Sequence, residues 1–202
     1  ADDRRKDVWH DAAFAAAWDD AHLVGSPARP LIVETAVSIL ERYAQDRRAL
    51  SVLDLGAGSG LVAVGGDPLA DHGTRFRQIV ADLAAFDLRT SGTARYDAVL
   101  ALQVLHEIAP PVRRDLLRRL RACLADDGIL LYGERLRIDV AHFAPAHETL
   151  WNALCRGMPD VAHPDFATRR RQLAAKEDFT VRLADELAIF ADAGWIAEPL
   201  IL

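Results

Sequence analysis

The sequence predicts an α/β protein, a doubly wound and mostly parallel sheet with helices on both faces, on three observations. The aliphatic run Ser51-Val-Leu-Asp-Leu breaks into Gly56-Ala-Gly-Ser-Gly60, with glycine at three alternate positions. Two later runs, Tyr96-Asp-Ala-Val-Leu-Ala-Leu-Gln-Val-Leu-His-Glu107 and Gly128-Ile-Leu-Leu-Tyr-Gly-Glu134, pass from aliphatic residues into polar ones. Segments of helical period lie between such runs, and parallel strands need crossovers of that kind.

Each element follows in chain order. Val8, Trp9, Phe14, Ala15 and Trp18 recur at helical spacing over 7–21, and Gly25-Ser26-Pro27 breaks that helix. A second amphipathic helix runs from Leu31 to Tyr43. The first strand leads into the glycine loop, where missing Cβ atoms let a ligand lie against backbone N–H groups. Phe76 to Leu83 is an apolar-rich run ending in Asp82-Leu83. Pro110-Pro111 opens a helix over 112–124, because proline is tolerated in a first helical turn. Asp126-Asp127-Gly128 turns the chain into the strand ending at Glu134. Residues 135–178 are mostly helical in pattern, interrupted at Gly157, Pro159 and Pro164. The last helix covers Phe179 to Ala193, Gly194 stops it, and Trp195 to Leu202 reads as a closing strand.

The 202 residues, 51% hydrophobic and 27% charged, suit one globular domain with its own core. No run approaches the roughly 20 apolar residues of a membrane span, and no signal pattern opens the chain, so a cytoplasmic protein is expected. Cys123 and Cys155 cannot form a disulfide framework and read as small buried side chains. A net charge of −6 argues against nucleic acid as the partner. Arg113, Arg114, Arg118, Arg119 and Arg121 flank the apolar stripe Leu116, Leu117, Leu120, Cys123 and Leu124, and read as its solvated face. The seven histidines include no H-E-x-x-H and the cysteines no C-x-x-C, so no metal is expected.

The glycine spacing narrows the ligand. A dinucleotide loop, G-x-G-x-x-G, would place its third glycine at position 61, which is Leu61, and this disfavours an oxidoreductase. Asp54-x-Gly56-x-Gly58-x-Gly60 instead resembles motif I of the class I S-adenosylmethionine-dependent methyltransferases. Ala81-Asp-Leu83, the strand from Tyr96 to Leu102 with His106 beyond it, and Leu183-Ala-Asp-Glu-Leu-Ala-Ile-Phe-Ala-Asp-Ala-Gly-Trp195 resemble later motifs of that family's small-molecule branch, in the same order. The likeness runs from about Trp9 to Trp195. It implies a Rossmann-like fold, S-adenosyl-L-methionine as cofactor, and methyl transfer to a small-molecule acceptor. It divides the domain into N-terminal helices (7–45), a donor-binding core (50–134), a helical lid or insertion (135–178) and a closing helix and strand (179–202). A small-molecule acceptor is then the expected partner, with no membrane, and a homodimer the candidate assembly.

By the same resemblance, Asp54, Gly56, Ala57 and Gly58 face the methionine part of the donor, Gly60 belongs to the same cofactor-binding loop, and Asp67 binds ribose hydroxyls. Asp82 would accept from the adenine amine while the Leu83 N–H donates to a ring nitrogen. Gln103 and His106 line the donor pocket where the strand ends, and His106 with Glu107 are the candidates for catalysis. His106 suits a general base, having an ordinary pKa near 6.5, and equally suits a wall of the pocket. Glu134 and Arg135 read as strand-end residues or as a plain surface ion pair.

The chain departs from the family pattern in two places. Only 61–75 is available for a crossover helix and a second strand, so residues are expected to be missing there and after 202. An alternative reading takes 78–82 as that strand and Asp82, about 20 residues past the loop, as the ribose acid. Two other functions compete with methyl transfer. One resembles carboxy-S-adenosylmethionine synthases, which need a basic residue such as Arg135 or one of Arg169–Arg171 facing a carboxylate. The other is a non-catalytic relative, a scaffold that keeps the sheet without the donor.

Overall fold

Strand-forming aliphatic residues make the centre of the fold: Val52–Leu55 (β1), Tyr96–Leu102 (β2) and Leu124–Gly133 (β3) form a parallel sheet in the order β1-β2-β3. The computed structural model describes residues 17, 26–47, 49–57, 79, 81–88, 95–137, 141–176 and 178–200. The chain divides into two compact units. Helix α1, Arg29–Ala44, contributes to both.

The unit that holds the sheet has its core on β2, where Ala98, Val99, Leu100 and Ala101 are buried, as a strand covered on both faces requires. Helix α2, Pro110–Cys123, follows β2 and buries Leu116, Leu117, Leu120 and Cys123 at helical spacing. Each of those leucines contributes about 1.5–3 kcal/mol by leaving water. Helix α5, Leu183–Asp192, adds Phe190, whose ring lies 5.0 Å from that of Tyr132 on β3. Its end is a Schellman turn. Trp195 N–H donates to Phe190 O at 3.0 Å and Gly194 N–H to Ala191 O at 2.9 Å, with Gly194 at φ +84. The Trp195 indole then donates to Leu117 O, tying α5 to α2.

Several expectations need correction here. Asp126-Asp127-Gly128 does not precede β3 but interrupts it: Tyr96 pairs with Leu124 and Ala98 with Ile129, so the turn bulges from the ladder. The arginines of α2 are not simply a solvated face. Arg113 is 1% exposed, Arg119 donates to the carbonyls of Leu83, Ala84 and Phe86, and Arg121 to that of Gly194. Carbonyls left over by turns near α2 accept from these long side chains. The last helix begins at Leu183 rather than Phe179, because 178–181 is not helical and is bonded elsewhere: Phe179 N–H donates to His106 O and Arg137 N–H to Val181 O. Residues 195–200 form no strand, and Ile196 is 95% exposed, while 201 and 202 lie outside the described residues. Residues 79, 81 and 82 are not strand either. The helix expected over 7–21, apart from the helical Ala17, and the segment 61–75 also lie outside the described residues.

In the other unit, Ala141–Phe143 is a short 3-10 turn before helix α3, Ala144–Arg156, and Phe166–Ala174 forms helix α4. The Asp165 carboxylate caps α4 by accepting from the Thr168 N–H and hydroxyl, both at 2.8 Å, and these bonds hold its pKa below the ordinary value. The Trp151 indole donates to Pro164 O and meets the edge of His163, which joins α3 to the loop before α4. Burial pushes up the pKa of the half-buried Cys155 thiol, while Cys123 is buried in the first-described core. No helix among the described residues is long and apolar enough to cross a membrane.

Candidate active site

Parallel pairing brings the carboxyl ends of the three strands together. Asp54 pairs with Leu100 and Leu55 with Ala101, Leu102 pairs with Gly133, and Gln103 N–H donates to Gly133 O at 2.6 Å. The residues that follow each strand therefore share one edge of the sheet, the edge where open parallel sheets bind ligands.

From β1 come the half-buried Asp54 and the exposed Gly56, whose φ of +62 favours glycine. A Cβ on Gly56 would overlap the Val104 side chain. Packing against Val104 thus gives by itself a reason for glycine at the first position of the loop. Ala57 is half-buried, and Gly58, Gly60 and Asp67 lie outside the described residues.

After β2, Gln103 takes φ +57, a left-handed conformation that costs a non-glycine residue about 1–2 kcal/mol. It turns the chain from β2 into the 3-10 turn Leu105–Glu107. That turn carries His106 into the interior, its side chain 5% exposed, and leaves Glu107 outside. Strained backbone of this kind persists where surrounding structure over-determines it and clusters at functional sites.

From β3 comes the partner that sequence reasoning left as a strand end. Glu134 Oε1 lies 2.6 Å from His106 Nδ1, and Oε2 accepts from the His106 backbone N–H at 3.1 Å. Oε1 also accepts from Arg135 N–H at 2.7 Å, and the carboxylate is 2% exposed. Glu134 and Arg135 are therefore no plain surface ion pair. Arg135 bonds to His106 Nε2 and lies 2.9 Å from Asp178 Oδ2, while Glu107 Oε1 stands 3.2 Å from the same Nε2. Asp178 escaped the sequence reading altogether, since no motif surrounds it. For Glu134, position was the available signal: it directly follows the strand beside β2.

Burial works against the charged His106 ring, but hydrogen bonds to Glu107 and Glu134, with the Glu134 charge, outweigh it. Arg135 opposes them, and the pKa ends above the ordinary 6.5. His106, Glu107 and Asp178 bring ligand-type atoms within 4.8 Å of one another. The Arg135 guanidinium already binds both His106 and Asp178, so a cation is supplied by the chain itself.

Asp82 and Leu83 belong to a turn of their own. Asp82 is exposed and caps its own turn, accepting from the Ala84 N–H at 2.9 Å, while its carbonyl accepts from Ala85 and Phe86. Leu83 packs on the core, and Arg119 holds the turn from α2.

No family model and no curated protein matches the chain. Among solved structures it is similar to a Nostoc punctiforme protein described as a "putative O-methyltransferase", with TM-score 0.49 and 16% identity over 84% of this chain and 51% of that one. The chain thus spans about half the length of that protein. At such a score the functional reading rests on the residues of the site.

Proposed function

We propose that the chain is an S-adenosyl-L-methionine-dependent methyltransferase of the class I, Rossmann-like kind, acting on a small-molecule acceptor. The observation that carries this is the buried His106–Glu134 pair at the carboxyl end of β2 and β3, on the same sheet edge as the Asp54–Gly56 turn. A base held by a carboxylate, beside a glycine turn that follows an acid, suits proton removal next to a bound activated donor.

The donor set supports that cofactor. Asp54 offers a carboxylate to an ammonium group, Gln103 an amide, and the glycine-bearing turn after β1 has no bulk at Gly56. Asp82 and Leu83 would hold the adenine, and Asp67, with Gly58 and Gly60, would complete the set by resemblance. When bound, S-adenosyl-L-methionine supplies a methyl group already activated on a sulfonium. The chain's own task is to position the acceptor, exclude water and take its proton. Glu134 accepts from Nδ1–H, which leaves Nε2 as the basic nitrogen.

Titration calorimetry with S-adenosyl-L-methionine, followed by mass spectrometry of incubations with candidate acceptors, tests the reading. Saturable binding that Gly58→Val abolishes supports it, because a branched side chain there would meet a ligand lying on the backbone. No binding would overturn it in favour of a scaffold. Arg135 in the cluster favours a second reading, a carboxy-S-adenosylmethionine synthase-like enzyme; carboxylation of S-adenosyl-L-methionine itself in the presence of an added carboxylate donor, with no acceptor methylated, would select it.

A further inference from the structure

We propose that Arg135 is a latch on His106: its guanidinium caps Nε2 while the imidazole is neutral and lets go when that nitrogen takes a proton. The latch's part in turnover rests on the reading of His106 as a base; its exchange of partners rests on geometry alone.

Glu134 can only accept, and it lies against Nδ1, so Nδ1 carries the hydrogen. In the neutral ring Nε2 is then a lone pair. Two groups of opposite character compete for it. Arg135 only donates and is bonded there; Glu107 only accepts and stands 3.2 Å away. A neutral ring accepts from Arg135 at Nε2 and has no proton there to donate to Glu107. A protonated ring donates to Glu107 and has nothing to offer a guanidinium. Asp178, 2.9 Å from the same Arg135 nitrogen, keeps the released side chain at the site. Among the described residues these are the charged groups bonded to the ring or its cap: Glu107 on its own turn, Glu134 and Arg135 after β3, and Asp178 before α5.

During turnover the acceptor displaces Arg135 from Nε2, its proton-bearing bond breaks as an N–H bond forms at Nε2, and the electron pair stays on the acceptor atom. The Arg135 N–H set free in that exchange is then a donor beside the deprotonated acceptor atom. Arg135 is a positioning residue that also keeps the base unprotonated until an acceptor displaces it.

The test is nitrogen-15 histidine NMR on the full chain without donor or acceptor, so absence of methyl transfer would not affect it. The neutral His106 ring is expected as the Nδ1–H tautomer. Arg135→Gln should move its titration midpoint upward and admit the Nε2–H tautomer, and Arg135→Lys should restore the midpoint. Asp178→Asn should move it downward, whereas general disruption of the site would send both variants toward the ordinary value. A neutral Nε2–H tautomer in the parent, or a midpoint that Arg135→Gln leaves unchanged or lowers, would overturn the latch.

Discussion

Gly56 and Val104 meet at the ends of β1 and β2 with no room for a methyl group between them: a Cβ on Gly56 would stand 2.9 Å from the Val104 Cβ and overlap Cγ2. Gly56→Ala therefore carries two costs, about 1–2 kcal/mol for the left-handed backbone and about 1–3 kcal/mol for overpacking. Denaturant midpoints should show their sum. Val104→Ala in the Gly56→Ala background removes the Cγ2 overlap but keeps the Cβ contact at 2.9 Å, so it should recover part of the packing cost and leave the backbone cost. A double variant no better than the single would show that the Cγ2 overlap is not the cause.

His106→Ala should lower turnover about 10²–10⁴-fold with donor affinity little changed. Because the His106 pKa lies above 6.5, the rate should fall as pH drops through that higher value. Stability carries the opposite sign. A histidine raised on folding contributes fully below its unfolded value and loses that contribution as pH rises through the folded one. A flat rate profile with weakened donor binding would instead make His106 a pocket wall.

Arg113 and Glu186 form an ion pair at 1% and 3% side-chain exposure, with Tyr132 donating to Glu186 at 2.7 Å and Arg113 donating to the carbonyls of Ile108 and Phe179. Glu186→Ala leaves a buried guanidinium without its counter-charge and should cost about 3–5 kcal/mol. Arg113→Met with Glu186→Leu and Tyr132→Phe should restore most of it in thermal unfolding. If the triple variant is as unstable as Glu186→Ala, the loss lies in packing rather than in an uncompensated charge.

Asp82 has two roles to separate. Asp82→Ala removes the cap on the Ala84 N–H and should cost about 0.5–1.5 kcal/mol of stability, while Asp82→Asn keeps an acceptor and should cost less. An inosine analogue of the donor probes only the ligand contact. Its equal affinity would leave Asp82 with the turn alone.

Local pattern was enough for much of the fold. Aliphatic runs placed β1 and β2, the stripe Leu116, Leu117, Leu120 and Cys123 placed α2, and Gly194 marked the end of α5, because strand and helix periods and a glycine stop are written in neighbouring residues. The same local reading put His106 at the strand end and named Gln103 and Glu107 beside it. What it missed came from distant segments. Arg113 looked like the other arginines of its helix, and only the arrival of Glu186, 73 residues later, makes it a buried ion pair. The closing strand read from Trp195 onward finds no pairing over 195–200, since a strand needs a neighbour that period alone cannot supply.

The sequence by itself determined that a glycine turn follows a buried strand and that a histidine ends a neighbouring one. Only the tertiary structure decided what that histidine is. Parallel pairing of Leu102 with Gly133 sets Glu134 against Nδ1, and the segment 178–181, bonded to His106 O and to Arg137 N–H, brings Asp178 to Arg135. Hydrogen bonds act over about 3 Å whatever the separation along the chain, so the partners of His106 follow from the register of the sheet.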